Sequence, residues 1–249
     1  MFMLMLVPQA VDAGRTHHQP ARCNFVDDLD EMLSQQQQYY RERARDYDAW
    51  INNYLLPAEK KFEELVNSSP LTGDILEMAC GSGYWTERIS RVAHHVTALD
   101  GSQEMLDIVD GRQLPNVSTA QADLFNWNPP TQWDGIFFAN WLAHVPDARF
   151  EQFWRTVSAA LLPTGTVVIM DVAPAEKFIE EEVVDDSSLP IARRRLKDGR
   201  RFDIVKKYWE PEELLDRISP LGFTGKATPV GQEAGRGFVW YELEKRNEF

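Results

Sequence analysis

The chain predicts an α/β domain in which parallel strands alternate with covering helices. Three observations carry this reading. Residues 74–100, DILEMACGSGYWTERISRVAHHVTALD, read as a buried strand (Ile75–Met78), a glycine turn (Ala79–Gly83), an amphipathic helix (about Trp85–Ala93) and a second strand (Val96–Leu99). Further apolar runs of strand length at 117–122, 133–138 and 166–172 are separated by stretches with helical spacing. A chain of 249 residues with 43% apolar content is also long enough to bury one sizeable core.

Residues 1–27 carry no hydrophobic period and contain Gly14 and Pro20, which predicts a mobile extension. His17 and His18 lie there without the further ligands a metal site needs, so no metal is expected. The opening run 1–7 is apolar but short, has no basic start and is followed by Pro8, a poor signal peptide and too short a membrane span. Residues 28–70 turn helical, with Leu29, Met32 and Leu33, then Tyr39, Tyr40, Tyr47, Trp50, Leu55 and Leu56. Pro57 divides them into two helices.

In the strand–turn–helix–strand unit a ligand sits where the first strand meets the helix, because glycine allows close approach and the helix start offers free N–H groups. Gly81 and Gly83 stand there. Asp100, nineteen residues past Gly81, ends the second strand, where a carboxylate accepts the hydroxyls of a ribose. A pyrophosphate would call for a third glycine in G-x-G-x-x-G, and that position is Thr86. Glu77, at the end of the first strand, repels phosphate and attracts an ammonium. The ligand these residues describe has a ribose and an amino group but no phosphate.

Ser102 caps the next helix, which runs through Met105, Leu106 and Val109. A third strand, Val117–Ala122, ends at Asp123, either a binding carboxylate or a helix cap. Trp133–Phe138 has the continuous apolar character of a central parallel strand. The loop after it, Ala139–Pro146, carries Asn140, Trp141 and His144 at the carboxyl end of the sheet, where ligands of open α/β sheets bind. Asp147 opens a helix with Phe150, Phe153, Trp154, Val157 and Leu161 at core spacing, and Pro163–Gly165 turns into a fifth strand, Thr166–Val172. Glu180–Asp186 holds five acids, and 193–207 holds eight basic residues around Asp198–Gly199, a strong hairpin turn. This predicts a β-hairpin over the carboxyl-end face, preceded by a helical or mobile acidic stretch. Pro211 opens a last helix, and Thr224–Val230 and Phe238–Leu243 supply the last two strands.

The run Glu77-Met78-Ala79-Cys80-Gly81-Ser82-Gly83 resembles the E/D-x-G-x-G-x-G motif of class I S-adenosylmethionine-dependent methyltransferases of the small-molecule type, with Ala79 replacing the first glycine. The similarity spans about Tyr39 to Lys245 and is strongest over 74–172. It implies a Rossmann-like, seven-stranded, mostly parallel sheet with the last strand antiparallel and helices on both faces. It also implies an N-terminal helical lid, because Tyr39–Asp48 resembles a Y-Y-x-x-R-A-x-x-Y-D segment that folds over the cofactor in some relatives. The resemblance places S-adenosylmethionine as cofactor, with Asp123 on the adenine amine, Leu124 offering a backbone N–H to the ring, and Ala79, Gly81, Gly83, Gly101, Met105 and Asn140 around it. Tyr40 would close the pocket and Arg43 pair with the methionine carboxylate, unless these residues are helix packing and a surface charge. The implied division is an extension (1–27) and one domain (28–249), with lid 28–70, cofactor core 71–173, insertion 174–209 and C-terminal part 210–249. Alternatives sharing the layout are an NAD(P)-dependent oxidoreductase and a non-catalytic S-adenosylmethionine-binding module.

The net charge of −13 argues against a nucleic acid substrate, because binding phosphates needs a basic surface. A small-molecule acceptor fits better. Two cysteines, Cys23 and Cys80, exclude a disulfide framework, and with no membrane-length run a cytoplasmic enzyme is expected. Methyl transfer needs a base only when the acceptor must lose a proton, and His144 is the candidate, unless His-Val-Pro-Asp is a structural turn. Trp141 borders the acceptor side, and Arg194, Arg200 and Arg201 of the hairpin would face an anionic acceptor.

Overall fold

A computed structural model describes residues 25–174, 183–184, 190–231 and 237–246. The acidic stretch 180–186 and the extension lie largely outside these. Strand β1 (Asp74–Met78) is buried from Ile75 onward and pairs in parallel with β2 (His95–Asp100) on one side and β4 (Trp133–Ala139) on the other. With β3 (Val117–Gln121), β5 (Leu161–Val172), β9 (Phe223–Val230) and β10 (Phe238–Lys245) they form a seven-stranded sheet in the order β3-β2-β1-β4-β5-β10-β9. The last strand, β10, runs antiparallel to both its neighbours, as the family resemblance implies.

Successive strand residues point to opposite faces, which gives two cores. Leu76, Ile136, Phe138, Val167 and Ile169 pack with Phe150, Phe153 and Trp154 of α5 (Asp147–Ala160) and Leu214 and Ile218 of α6 (Pro211–Ile218). Ile75, Phe137, Val168 and Met170 pack on the other face against Trp85 and Ile89 of α3 (Tyr84–Ile89) and Phe62 of α2 (Glu59–Ser68). Helix α4 (Gln103–Gly111) completes the layer beside β2 and β3, with the Ser102 hydroxyl accepting from the Met105 N–H as its cap.

Two elements depart from the expected bounds. The first helix, α1, runs over Phe25–Leu55, starting inside the expected extension. β5 begins at Leu161 rather than after a turn at 163–165: the segment stays extended, with a register shift against β4 between Trp133 and Gly135. A Cβ on Gly165 would lie 2.6 Å from Leu161 Cδ1 and 2.8 Å from the Asp134 carbonyl, so the bulge passes only as glycine.

The hairpin forms as predicted. β7 (Ile191–Arg195) and β8 (Arg201–Val205) pair antiparallel, with the short β6 (Val183–Val184) alongside. It packs Ala192, Phe202 and Ile204 against Tyr39 of α1. Helix and hairpin therefore meet above the carboxyl ends of β1 and β4. No helix among the described residues is long and apolar enough to cross a membrane.

Candidate active site

The turn between β1 and α3 is built from left-handed residues: Ala79 (φ 54°), Gly81 (φ 54°) and Gly83 (φ 84°). Glycine takes these angles freely, whereas Ala79 holds its angle at a cost of roughly 1–2 kcal/mol. Asp100 fixes the turn, its carboxylate accepting from the Gly81 N–H and the Ser102 N–H, both at 2.9 Å. Burial raises the pKa of Asp100, and these backbone donors oppose the shift. A carboxylate has about four acceptor positions, so capacity remains for a ligand.

Above this turn lies a cavity of about 450 Å³, within the range typical of ligand sites. Its floor is Ala79, Gly81, Asp100 and Gly101, and one end is Met105, Asp123 and Leu124. Asn140, Trp141 and His144 come from the loop after β4, and Tyr40 from α1. Asp123 also accepts from the Phe125 N–H (3.0 Å) and Asn126 Nδ2 (2.6 Å), so it caps a turn while facing the cavity. The backbone of Asn140 is left-handed (φ 53°), and its Oδ1 is buried with no partner among the described residues.

Three predicted residues lie elsewhere. Gly83 caps α3 and does not border the cavity. Glu77 is sealed beneath the turn, its Oε2 without a partner among the described residues; burial pushes its pKa up to about 8, with the Thr86 hydroxyl pulling down and the Asp100 charge adding to it. Arg43 faces away from the first cavity: it donates to the Tyr39 hydroxyl (2.8 Å), stacks on Trp50 (4.2 Å to the ring centroid) and borders a second cavity.

That second cavity, about 610 Å³, lies between α1 and the hairpin and meets the first at Tyr40, Tyr47 and Asn140. Arg194, Arg195, Lys197 and the buried Lys206 line it with Arg43, and Asp46 is its carboxylate among the described residues. Of the three hairpin arginines singled out from sequence, Arg194 is in this wall. Arg200 is turned outward and pairs with Glu42 and Asp198, and Arg201 is exposed and borders neither cavity.

His144 is buried with both ring nitrogens engaged. Nδ1 lies 2.6 Å from the Val205 carbonyl and Nε2 lies 2.8 Å from the Tyr40 hydroxyl. Burial, with Lys206 and Arg194 nearby, pushes the imidazole well below its ordinary pKa. The ring borders the first cavity and not the second. Gln36, unremarked within a glutamine run, completes this network: its Oε1 accepts from the Val205 N–H (3.0 Å) and its Nε2 donates to the His144 carbonyl (3.4 Å). Lys206 stood in the basic cluster, but nothing local marked it as the buried one. The alternation of β8, continued by one residue, was the signal available.

The family described as "Methyltransferase domain" matches residues 75–165. A structure of DhpI in complex with SAH is 39% identical, covering 87% of this chain and 98% of that one, with a TM-score of 0.72. DhpI with SAM and HEP aligns as well, at 39% identity over 86% and 97% with the same TM-score. The Burkholderia thailandensis 1,6-didemethyltoxoflavin-N1-methyltransferase, 17% identical over 88% and 90% with a TM-score of 0.60, shares the fold. Among curated proteins, the ribosomal RNA small subunit methyltransferase A of Pediococcus pentosaceus is 23% identical over 57% of this chain, which spans about half (51%) of that relative's length. Neither the oxidoreductase nor the non-catalytic alternative is supported by these likenesses. With the motif residues gathered at the sheet's carboxyl end and a full-length relative at 39% identity, the chain belongs to the class I S-adenosylmethionine-dependent methyltransferases.

Proposed function

We propose that the protein transfers the methyl group of S-adenosylmethionine to a small-molecule acceptor that carries an anionic group and sits in the second cavity. The observation that carries this reading is the lining of that cavity: five cationic side chains, Arg43, Arg194, Arg195, Lys197 and Lys206, against Asp46, in a chain of net charge −13. Guanidinium and ammonium groups in a recess bind carboxylate or phosphate through charge-assisted hydrogen bonds.

The first cavity suits the cofactor. A Cβ on Gly81 would lie 3.3 Å from Tyr47 and one on Gly101 2.7 Å from Gln37 Nε2, so side chains there would take up the space between floor and lid. The orphaned Asn140 Oδ1 is a further acceptor at the junction. Likeness to DhpI, solved with SAM and with SAH, supports the same assignment. In this reading Asp100 takes the ribose hydroxyls, Asp123 and Leu124 take the adenine, and Ala79, Gly81, Gly101 and Met105 supply the walls.

The cofactor supplies a methyl group on a positively charged sulfur, open to in-line displacement. The chain's contribution is placement and exclusion of water. Tyr40, Tyr47 and Asn140 frame the passage between the cavities, and α1 and the hairpin cover both. Arg194 and Lys206 hold the acceptor's charged group, which fixes where its nucleophilic atom points. His144, with both ring nitrogens engaged and no place in the second cavity's wall, does not act as a base in this reading.

Incubation with labelled S-adenosylmethionine and a metabolite extract of the host, followed by identification of the labelled product, tests the reading. Label confined to neutral or cationic molecules would refute an anionic acceptor. With the acceptor in hand, Arg194→Gln should raise KM about tenfold, equivalent to roughly 1.4 kcal/mol, and leave cofactor affinity unchanged.

A further inference from the structure

Gly83 borders neither cavity, yet a side chain there would be both strained and crowded. Its backbone is left-handed (φ 84°), and a Cβ would lie 3.0 Å from Val109 Cγ2 and 3.2 Å from Arg112 Nε. What fills the space behind the turn is therefore a guanidinium. Arg112 follows α4 and reaches three elements at once. Its Nε donates to the Ser82 carbonyl of the turn (3.1 Å), Nη1 to Glu87 of α3 (3.2 Å) and Nη2 to Asp48 of α1. The Ser82 hydroxyl donates to the same Asp48 oxygen, Oδ1, at 2.9 Å.

Asp48, Ser82 and Arg112 thus form a closed triangle, each bonded to both of the others. No one contact can shift without straining the other two, and the planar guanidinium fork fixes their directions. Ser82 is buried and the Arg112 side chain is 22% exposed, so solvent screens this group less than the outlying ion pairs of α1. None of the three borders either cavity. Tyr47, the residue before Asp48, does: it stands 3.3 Å from where a Cβ on Gly81 would lie. Helix α1 therefore meets the turn with two consecutive residues, Tyr47 over Gly81 on the cavity side and Asp48 on Ser82 behind it. Where the triangle sets Asp48, the helix backbone carries Tyr47.

We propose that Arg112 is a positioning residue for the first cavity: by tying Asp48 to Ser82 from behind, it sets the separation of Tyr47 from Gly81, and with it the affinity for the cofactor, without touching the ligand. This rests on the assignment of that cavity to S-adenosylmethionine made above. It also gives Gly83 a reason within the motif, which is to leave room for the guanidinium.

Titration calorimetry of the intact protein with S-adenosylhomocysteine tests the proposal. Arg112→Gln and Asp48→Asn should each weaken binding about fivefold, and the double variant by no more than about tenfold, because either change opens the same triangle. Arg91 shares Glu87 with Arg112 (2.9 Å) and has no bond to Ser82 or Asp48, so Arg91→Gln should stay within about twofold of the parent. A role confined to stability would lower the melting temperature of Arg112→Gln and leave its affinity alone, which would overturn the proposal. So would a double variant weakened by about twenty-fivefold, the product of two independent effects, or an Arg91→Gln variant that lost as much as Arg112→Gln. Should Arg112→Gln not fold, Asp48→Asn decides: a fivefold loss with faster amide exchange over residues 44–52 supports the role, and parent-like affinity contradicts it. If the parent itself failed to bind, the assignment of the first cavity would fall, a result distinct from all of these.

Discussion

The two walls of the first cavity are held by different kinds of interaction. The floor, residues 79–83 and 100–102, is fixed by backbone geometry: left-handed turn residues, and one carboxylate joining Gly81 to Ser102. The facing wall, α1, is held by side chains reaching to distant elements. Asp30 pairs with Arg149 (2.7 Å), Arg41 with Glu104 (3.6 Å), Asp46 with Lys197 (2.7 Å) and Glu42 with Arg200, while Asp48 takes Arg112 and the Ser82 hydroxyl. Most of these pairs are partly exposed, where each contributes little and salt screens it. The buried Gln36 network is the exception. The contrast makes changes in the floor costly and changes in the α1 cover mild.

Gly81→Val should have the largest effect. It places a branched side chain at φ 54° and 3.3 Å from Tyr47, in the space between floor and lid, so cofactor binding in calorimetry should fall below detection. A variant that bound normally would put the ligand elsewhere. Asp100→Ala comes next. It removes a ligand acceptor and leaves the Gly81 and Ser102 N–H groups without theirs, so affinity should drop at least about tenfold, from contacts of roughly 1.5–3 kcal/mol, with thermal stability reduced too.

Glu77 gives the floor a pH signature. Its folded-state pKa of about 8 exceeds the ordinary 4.5, so between these values the folded protein keeps a proton that the unfolded chain has released. Its contribution is fully present below about pH 4.5 and is lost as pH rises towards 8, at no more than about 1.4 kcal/mol per pH unit. Glu77→Gln should therefore gain stability over the parent as pH rises from 5 to 8 in denaturant melts. A constant difference across that range would show that the carboxyl is not protonated in the fold.

The smallest effect belongs to the cover. Arg149→Gln breaks one partly exposed ion pair and should loosen α1 by only about 0.5 kcal/mol, seen as two- to threefold faster amide exchange near Asp30 at low salt. At high salt parent and variant should exchange alike. Equal protection with and without S-adenosylhomocysteine would remove the distinction between floor and cover altogether.

The sequence by itself determined the floor. The strand, turn, helix and acid at a nineteen-residue spacing are local in the chain, and period-2 burial, left-handed glycines and a strand-end carboxylate each follow from a few neighbouring residues. The hairpin was legible for the same reason, through Asp198–Gly199. Only the tertiary structure decided the cover. Which side of the 31-residue α1 faces which cavity depends on how the hairpin packs against it, and that turned Arg43 to the second cavity, selected Arg194 over Arg200 and Arg201, and buried Lys206. Gln36 and Val205 are 169 positions apart, and Tyr40 and His144 are 104 apart. No periodicity registers pairings at such separations, because the hydrogen bonds exist only once both elements are docked and water is excluded between them.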